Sequence, residues 1–227
     1  MVEFLFLDLY DTILDFQKAE YIAIGKTLAQ MGVEPTQEVR TRYSQINKRH
    51  WEMLERGELT REQVLVRRFG ALFHELGIEA EPEVCARTYE KFLSEGHYFL
   101  PSAEEAVNAL SQKYRLFLAS NGTASVQAGR LTSANLYRFF EKVFVSQEVG
   151  YNKPSKAYFE TCFAQIPGFD RAKSLMVGDS LSSDILGGIN AGVRTCWVNP
   201  AHKPCGAVRP DYEIEALAQL PMLLEEI

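Results

Sequence analysis

Apolar and polar positions fall into two regimes along this chain. Phe4-Leu5-Phe6-Leu7 is an unbroken apolar run halted by Asp8, and similar runs return at Leu116-Phe117-Leu118-Ala119, Val143-Phe144-Val145, Leu175-Met176-Val177 and Thr195-Cys196-Trp197-Val198. Short continuous runs, rather than alternating ones, suit strands buried on both faces of a parallel sheet. Helical spacing occupies 103–113, 124–137, 155–166 and 181–191, with Gly192 placed to end the last helix in a left-handed conformation. Strand alternating with helix predicts an α/β fold built on a doubly wound parallel sheet.

Residues 17–97 follow the helical period instead: Tyr21, Ile24, Leu28 and Met31, then Tyr43, Ile46, Trp51 and Leu54, then Val64, Val66, Phe69, Phe73 and Leu76. Thr36, Thr60 and Pro82 supply starts, and Gly32, Gly57 and Gly77 supply stops, which predicts about four helices. The expected organisation is therefore a core domain over 1–15 and 100–227, interrupted after its first strand by an α-helical cap domain over 16–99.

Composition narrows the function classes. The 227 residues are 46% hydrophobic and 24% charged, with no run near the roughly 18 apolar residues that cross a bilayer. The opening Met1-Val2-Glu3-Phe4 lacks the cationic flank of a signal peptide. A net charge of −6 without a basic run disfavours a nucleic-acid polymer as partner. Cys85, Cys162, Cys196 and Cys205 form no CxxC, so neither a zinc site nor a disulfide framework is indicated. These features predict a soluble, cytoplasmic protein that works away from membranes and nucleic-acid polymers, and they leave its oligomeric state open between monomer and homodimer.

In an open α/β sheet, ligands bind beyond the carboxyl ends of the strands, so the polar residues that follow each apolar run should share one crevice. Those residues are Asp8, then Ser120 and Asn121, then Lys153, then Asp179 and Asp184. Three carboxylates, a hydroxyl and an ammonium without His or Cys are the makeup of a magnesium-assisted phosphoryl site: hard oxygens hold Mg2+ and the lysine offsets anionic charge.

Asp8-Leu9-Tyr10-Asp11-Thr12, Ser120-Asn121-Gly122, Lys153-Pro154 and Gly178-Asp179-Ser180 with Asp184 resemble, in order, the four motifs of the haloacid dehalogenase-like hydrolase superfamily. The resemblance covers essentially the whole chain and implies a Rossmann-like core carrying an inserted helical cap. The stretch from Leu175 to Asn199 is more narrowly similar to the bacterial house-cleaning pyrimidine 5′-nucleotidases of that superfamily. The resemblance implies that Asp8 attacks phosphorus to form an aspartyl-phosphate. It implies a metal held by Asp8, the Tyr10 carbonyl and Asp179, with Asp184 as a nearby or water-mediated partner. It implies, too, that Ser120 and the Asn121 amide bind the substrate phosphoryl group while Lys153 neutralises it.

Tyr10 departs from the pattern. Phosphatases of the superfamily carry there a second aspartate that protonates the leaving oxygen and then activates water, and a phenol with an ordinary pKa of about 10 is a poor base near neutrality. The 2-haloacid dehalogenases of the superfamily carry tyrosine at this place and use no metal, which makes dehalogenation one alternative. A weakened protein that binds phosphorylated ligands is another. Asp11 is a doubtful substitute for the missing carboxylate. Among aromatic and imidazole groups that could face a substrate (Phe16, Tyr21, Trp51, Phe92, His97 and Tyr98), His97 stands out because it follows Gly96 where the chain re-enters the core.

Overall fold

The computed structural model describes residues 1–227. Strand β1 (Phe4–Leu7) is followed by four helices, α1 (Phe16–Gln30), α2 (Gln37–Glu55), α3 (Arg61–Leu76) and α4 (Pro82–Glu95). After α5 (Ala103–Ser111) come β2 (Arg115–Ser120), α6 (Ala124–Ser133), β3 (Lys142–Val145), α7 (Ser146–Val149), α8 (Lys156–Phe163) and β4 (Ser174–Gly178). The chain then runs through α9 (Leu186–Ala191), β5 (Arg194–Val198), β6 (Tyr212–Ile214) and α10 (Leu220–Glu226).

Two compact units result, one comprising Met1–Phe16 with His97–Ile227 and the other Gln17–Gly96. Phe16 and residues 97–99 therefore group with the sheet, not with the helical block over 16–99 that the pattern suggests. Local hydrogen bonding is the reason. The Phe16 N–H donates to Asp11 Oδ1 at 2.9 Å, the Asp15 N–H donates to the Tyr98 carbonyl at 2.8 Å, and Leu14 bridges Phe99.

In the sheet unit all six strands run parallel, in the order β3-β2-β1-β4-β5-β6. The unbroken apolar runs are explained by the two faces. Leu5, Leu7, Leu118, Leu175 and Val177 pack with Val107 and Leu110 of α5 and Leu220 and Leu224 of α10. Phe4, Phe6, Phe117 and Met176 pack on the opposite face with Phe159 and Phe163 of α8. Because successive strand residues point to opposite faces, covering both with helices requires every position to be apolar.

The helical segments are shorter than the pattern predicts. Helix α6 stops at Ser133, short of 137, because Asn135 turns left-handed at φ 52° and Tyr137–Phe139 forms a separate tight turn. The segment over 181–191 opens with a wider π-type turn, Leu181–Ile185, before α9 begins. The short β6, α7 and α10 lie outside the expected elements; β6 spans only three residues and carries the exposed Glu213, so it has no apolar run to announce it.

In the helical unit, the Thr36 hydroxyl accepts the Val39 N–H, and Thr60 with Gln63 forms a reciprocal capping box. Pro82 opens α4 where no N–H is needed, and Gly77 ends α3 at φ 65°. Tyr43, Phe69 and Tyr89 form its buried aromatic centre, with ring centroids 5.2–5.6 Å apart. No helix of the protein is long and apolar enough to cross a membrane.

Candidate active site

Strand register brings the polar residues together. Leu7 pairs with Leu118 on one side and Val177 on the other, and the Asp8 N–H continues the ladder to the Val177 carbonyl at 2.9 Å. Asp8 thus stands level with Ala119 and Gly178, one residue short of Ser120 and Asp179. Strand β1 is also where the strand order reverses direction, the place at which an open parallel sheet leaves a crevice.

Lys153 is the centre of the cluster. Its ammonium is buried and donates three hydrogen bonds, to Asp8 Oδ1, Asp184 Oδ1 and the Ala119 carbonyl, each at 2.6 Å. The Asn121 side chain holds the backbone beneath it, accepting the Lys153 N–H at 2.8 Å and donating to the Lys153 carbonyl at 2.9 Å. Asp184 Oδ2 accepts the Ser180 N–H at 3.1 Å, so the π-type turn folds this carboxylate back over the end of β4. That approach needs Gly178: a Cβ there would stand 2.2 Å from Asp184 Oδ2. The Trp197 indole N–H anchors the Asp179 carbonyl at 2.8 Å.

Asp8, Asp179 and Asp184 each offer a carboxylate oxygen, and these atoms lie within 4.8 Å of one another. Three carboxylates against one ammonium leave an excess of negative charge in a desolvated place. Burial pushes the Asp8 carboxyl up to about 7, opposed by Lys153 and reinforced by Asp184. Burial and then the carboxylates of Asp184, Asp8 and Asp11 raise Asp179 well above the ordinary range. On Lys153 burial pulls downward, but Asp184 and Asp8 outweigh it and hold the ammonium above the usual lysine range. A hard divalent cation fits this all-oxygen donor set and would relieve the repulsion.

The remaining site candidates differ in how they are held. The Tyr10 ring packs against the apolar cluster on the β1 face, 4.7 Å from the Phe16 ring and with the buried Arg130 guanidinium 4.6 Å over it. Asp11 adopts φ 51°, and its carboxylate ties down the turn into α1. His97 is exposed where the chain rejoins the sheet unit. Of the aromatic candidates, Tyr21 is exposed and its hydroxyl donates to Gln37 Oε1 at 2.9 Å. Cys85, Cys162 and Cys196 are buried packing residues, and Cys205 is half-buried. Two buried residues of α6, Gln127 and Arg130, are missing from the sequence-derived site; only their place on a helix following Ser120-Asn121-Gly122 could have drawn notice.

The family model for haloacid dehalogenase-like hydrolases matches residues 5–198. HAD-hydrolase YfnB of Bacillus subtilis is 39% identical over 97% of this chain and 94% of its own length. Pyrimidine 5′-nucleotidase PynA of Streptococcus pneumoniae is 35% identical over 96% of this chain and 93% of its own. A crystal structure of the Bacillus subtilis YfnB bound to magnesium superposes with a TM-score of 0.94 at 38% identity, covering 98% of both chains.

Proposed function

The chain belongs to the haloacid dehalogenase-like hydrolase family, and on that premise we propose that it hydrolyses small phosphomonoesters in a magnesium-dependent reaction, its substrates being pyrimidine nucleoside 5′-monophosphates. The observation that carries this reading is the Lys153 ammonium bonded to both Asp8 and Asp184, with Asp179 completing an acidic cluster. Asp8, Asp179 and Asp184, with the Tyr10 carbonyl, would hold Mg2+. When bound, the ion withdraws charge from the phosphoryl oxygens and keeps the carboxylates ionised.

The chain's own residues supply the rest. An Asp8 carboxylate oxygen attacks phosphorus, the P–O bond to the nucleoside breaks, and the leaving oxygen takes up a proton from solvent water. Water then cleaves the aspartyl-phosphate, which returns Asp8 and releases inorganic phosphate. Lys153 orients Asp8 through Oδ1 and offsets the charge gathered around it. Ser120 and the Asn121 amide bind phosphoryl oxygens, and His97 contacts the substrate. Tyr10 brings no carboxylate to the leaving oxygen, so turnover is slow.

Phosphate and halide release, measured on a panel of nucleotides and 2-haloacids with and without magnesium, tests this reading. The expected result is magnesium-dependent phosphate release from pyrimidine monophosphates, increased by about 10²-fold in Tyr10→Asp, the usual worth of general acid–base catalysis. Metal-independent halide release, lowered by Tyr10→Asp, would establish a dehalogenase instead. Ligand binding with neither product, unchanged by Tyr10→Asp, would leave a binding protein.

A further inference from the structure

We propose that Gln127 is a positioning residue that turns the Ser120 hydroxyl outward, so that its proton is offered to a phosphoryl oxygen of the substrate. A serine hydroxyl has one proton to donate and two lone pairs to accept with. Ser120, buried at the end of β2, accepts from the Gly122 N–H at 3.2 Å and from Gln127 Nε2 at 2.5 Å. With both lone pairs taken from the α6 side, the remaining proton points away from that side. Ser120 is thereby a committed donor, not a rotor that must be ordered at the moment of reaction.

Three further observations show that this arrangement is built. Gln127 is fully buried, an unusual place for a glutamine, and Ser120 is the hydrogen-bond partner of its carboxamide. Gly122 makes the room: a Cβ at this position would fall 2.0 Å from Gln127 Nε2. The residue before Ser120 is committed as well, since the Ala119 carbonyl accepts from Lys153. Ser120 is thus held on one side by the lysine network and on the other by Gln127.

The proposal rests on the phosphatase reading, and its test separates the two. In the 15N-labelled full-length protein, a Gln127 side-chain amide proton should resonate downfield and exchange slowly, and Ser120→Ala should abolish both properties. A carboxamide facing the other way, with Oε1 toward Ser120, gives no such signature and overturns the proposal. In steady-state assays with a pyrimidine monophosphate and magnesium, Gln127→Glu should lower kcat/KM by about 10²-fold, because a carboxylate takes the serine proton for itself. Placed in a Ser120→Ala background, the same change should cost under about 3-fold. Gln127→Met removes the donor without adding charge; it should fold if Gln127→Glu does not, and should show the same dependence on Ser120. Equal losses in both backgrounds would reduce Gln127 to a packing residue. A parent protein that releases no phosphate overturns the phosphatase reading, and this proposal with it.

Discussion

Both units of the protein bury charge, and they balance it differently. In the helical unit Asn47 donates to Glu20 Oε1 at 2.6 Å and accepts from Arg68 Nη1 at 2.8 Å, so an amide links one carboxylate to one guanidinium. The guanidinium also lies 4.8 Å over the Tyr89 ring and 5.1 Å over the Phe69 ring. There one acidic side chain is matched by one basic side chain. At the strand ends, three carboxylates meet one ammonium, and burial raises Asp8 and Asp179 because nothing in the chain supplies the missing positive charge. A closed network specifies packing; an open one, costly to fold, marks where a ligand belongs.

The contrast is sharpest in what each cluster loses on mutation. Asp8→Asn should reduce phosphate release by about 10⁴-fold or more, since it removes the proposed nucleophile. It should leave the melting temperature of the metal-free protein equal or higher, because a crowded carboxylate is gone while Lys153 keeps Asp184 and the Ala119 carbonyl. A folded Asp8→Asn protein with near-parental turnover would discard the mechanism. Arg68→Ala should do the opposite and destabilise the fold by about 3–5 kcal/mol in denaturant unfolding, the cost of stranding a buried polar network without its cation. A loss under about 1 kcal/mol would show that the helical cluster is not closed through Arg68.

Magnesium should distinguish the clusters by pH. The Asp8 carboxyl stands at about 7 in the folded chain against 3.8 as its ordinary value, so the folded state carries the extra proton between those limits. Stability without metal should therefore fall as pH rises from about 4 toward 7, and Asp179 acts in the same sense. Added magnesium should restore stability near pH 7.5, by about 2.7 kcal/mol at a concentration 100-fold above its dissociation constant. Near pH 5, where protons already neutralise the site, it should add little. Melting curves at the two pH values, with and without magnesium, measure this; an equal effect at both would mean that the ion binds elsewhere.

The parallel sheet, the helical block and the acid-and-lysine inventory at the strand ends were legible in the order of residues, because each depends on a local regularity. Unbroken apolar runs announce strands covered on both faces, a 3.6-residue period announces helices, and polar residues directly after the runs fall at the ligand end of the sheet. Asp8 could be named on that basis; Lys153, well past the end of its run and 145 positions from Asp8, needed the resemblance of Lys153-Pro154 to a known motif.

Only the tertiary structure decided how those residues are held. The π-type turn that folds Asp184 back over Gly178, the Asn121 side chain that grips the Lys153 backbone, and the Tyr10 ring packed beneath Arg130 leave no periodic trace. Gln127 reads in sequence as one more polar residue on a helix, yet it is fully buried against Ser120. The physical reason is that hydrophobic patterning encodes which face of an element is covered. Which polar atoms then meet depends on interatomic distances of a few tenths of an ångström, and those exist only once the sheet, its helices and its glycines have packed.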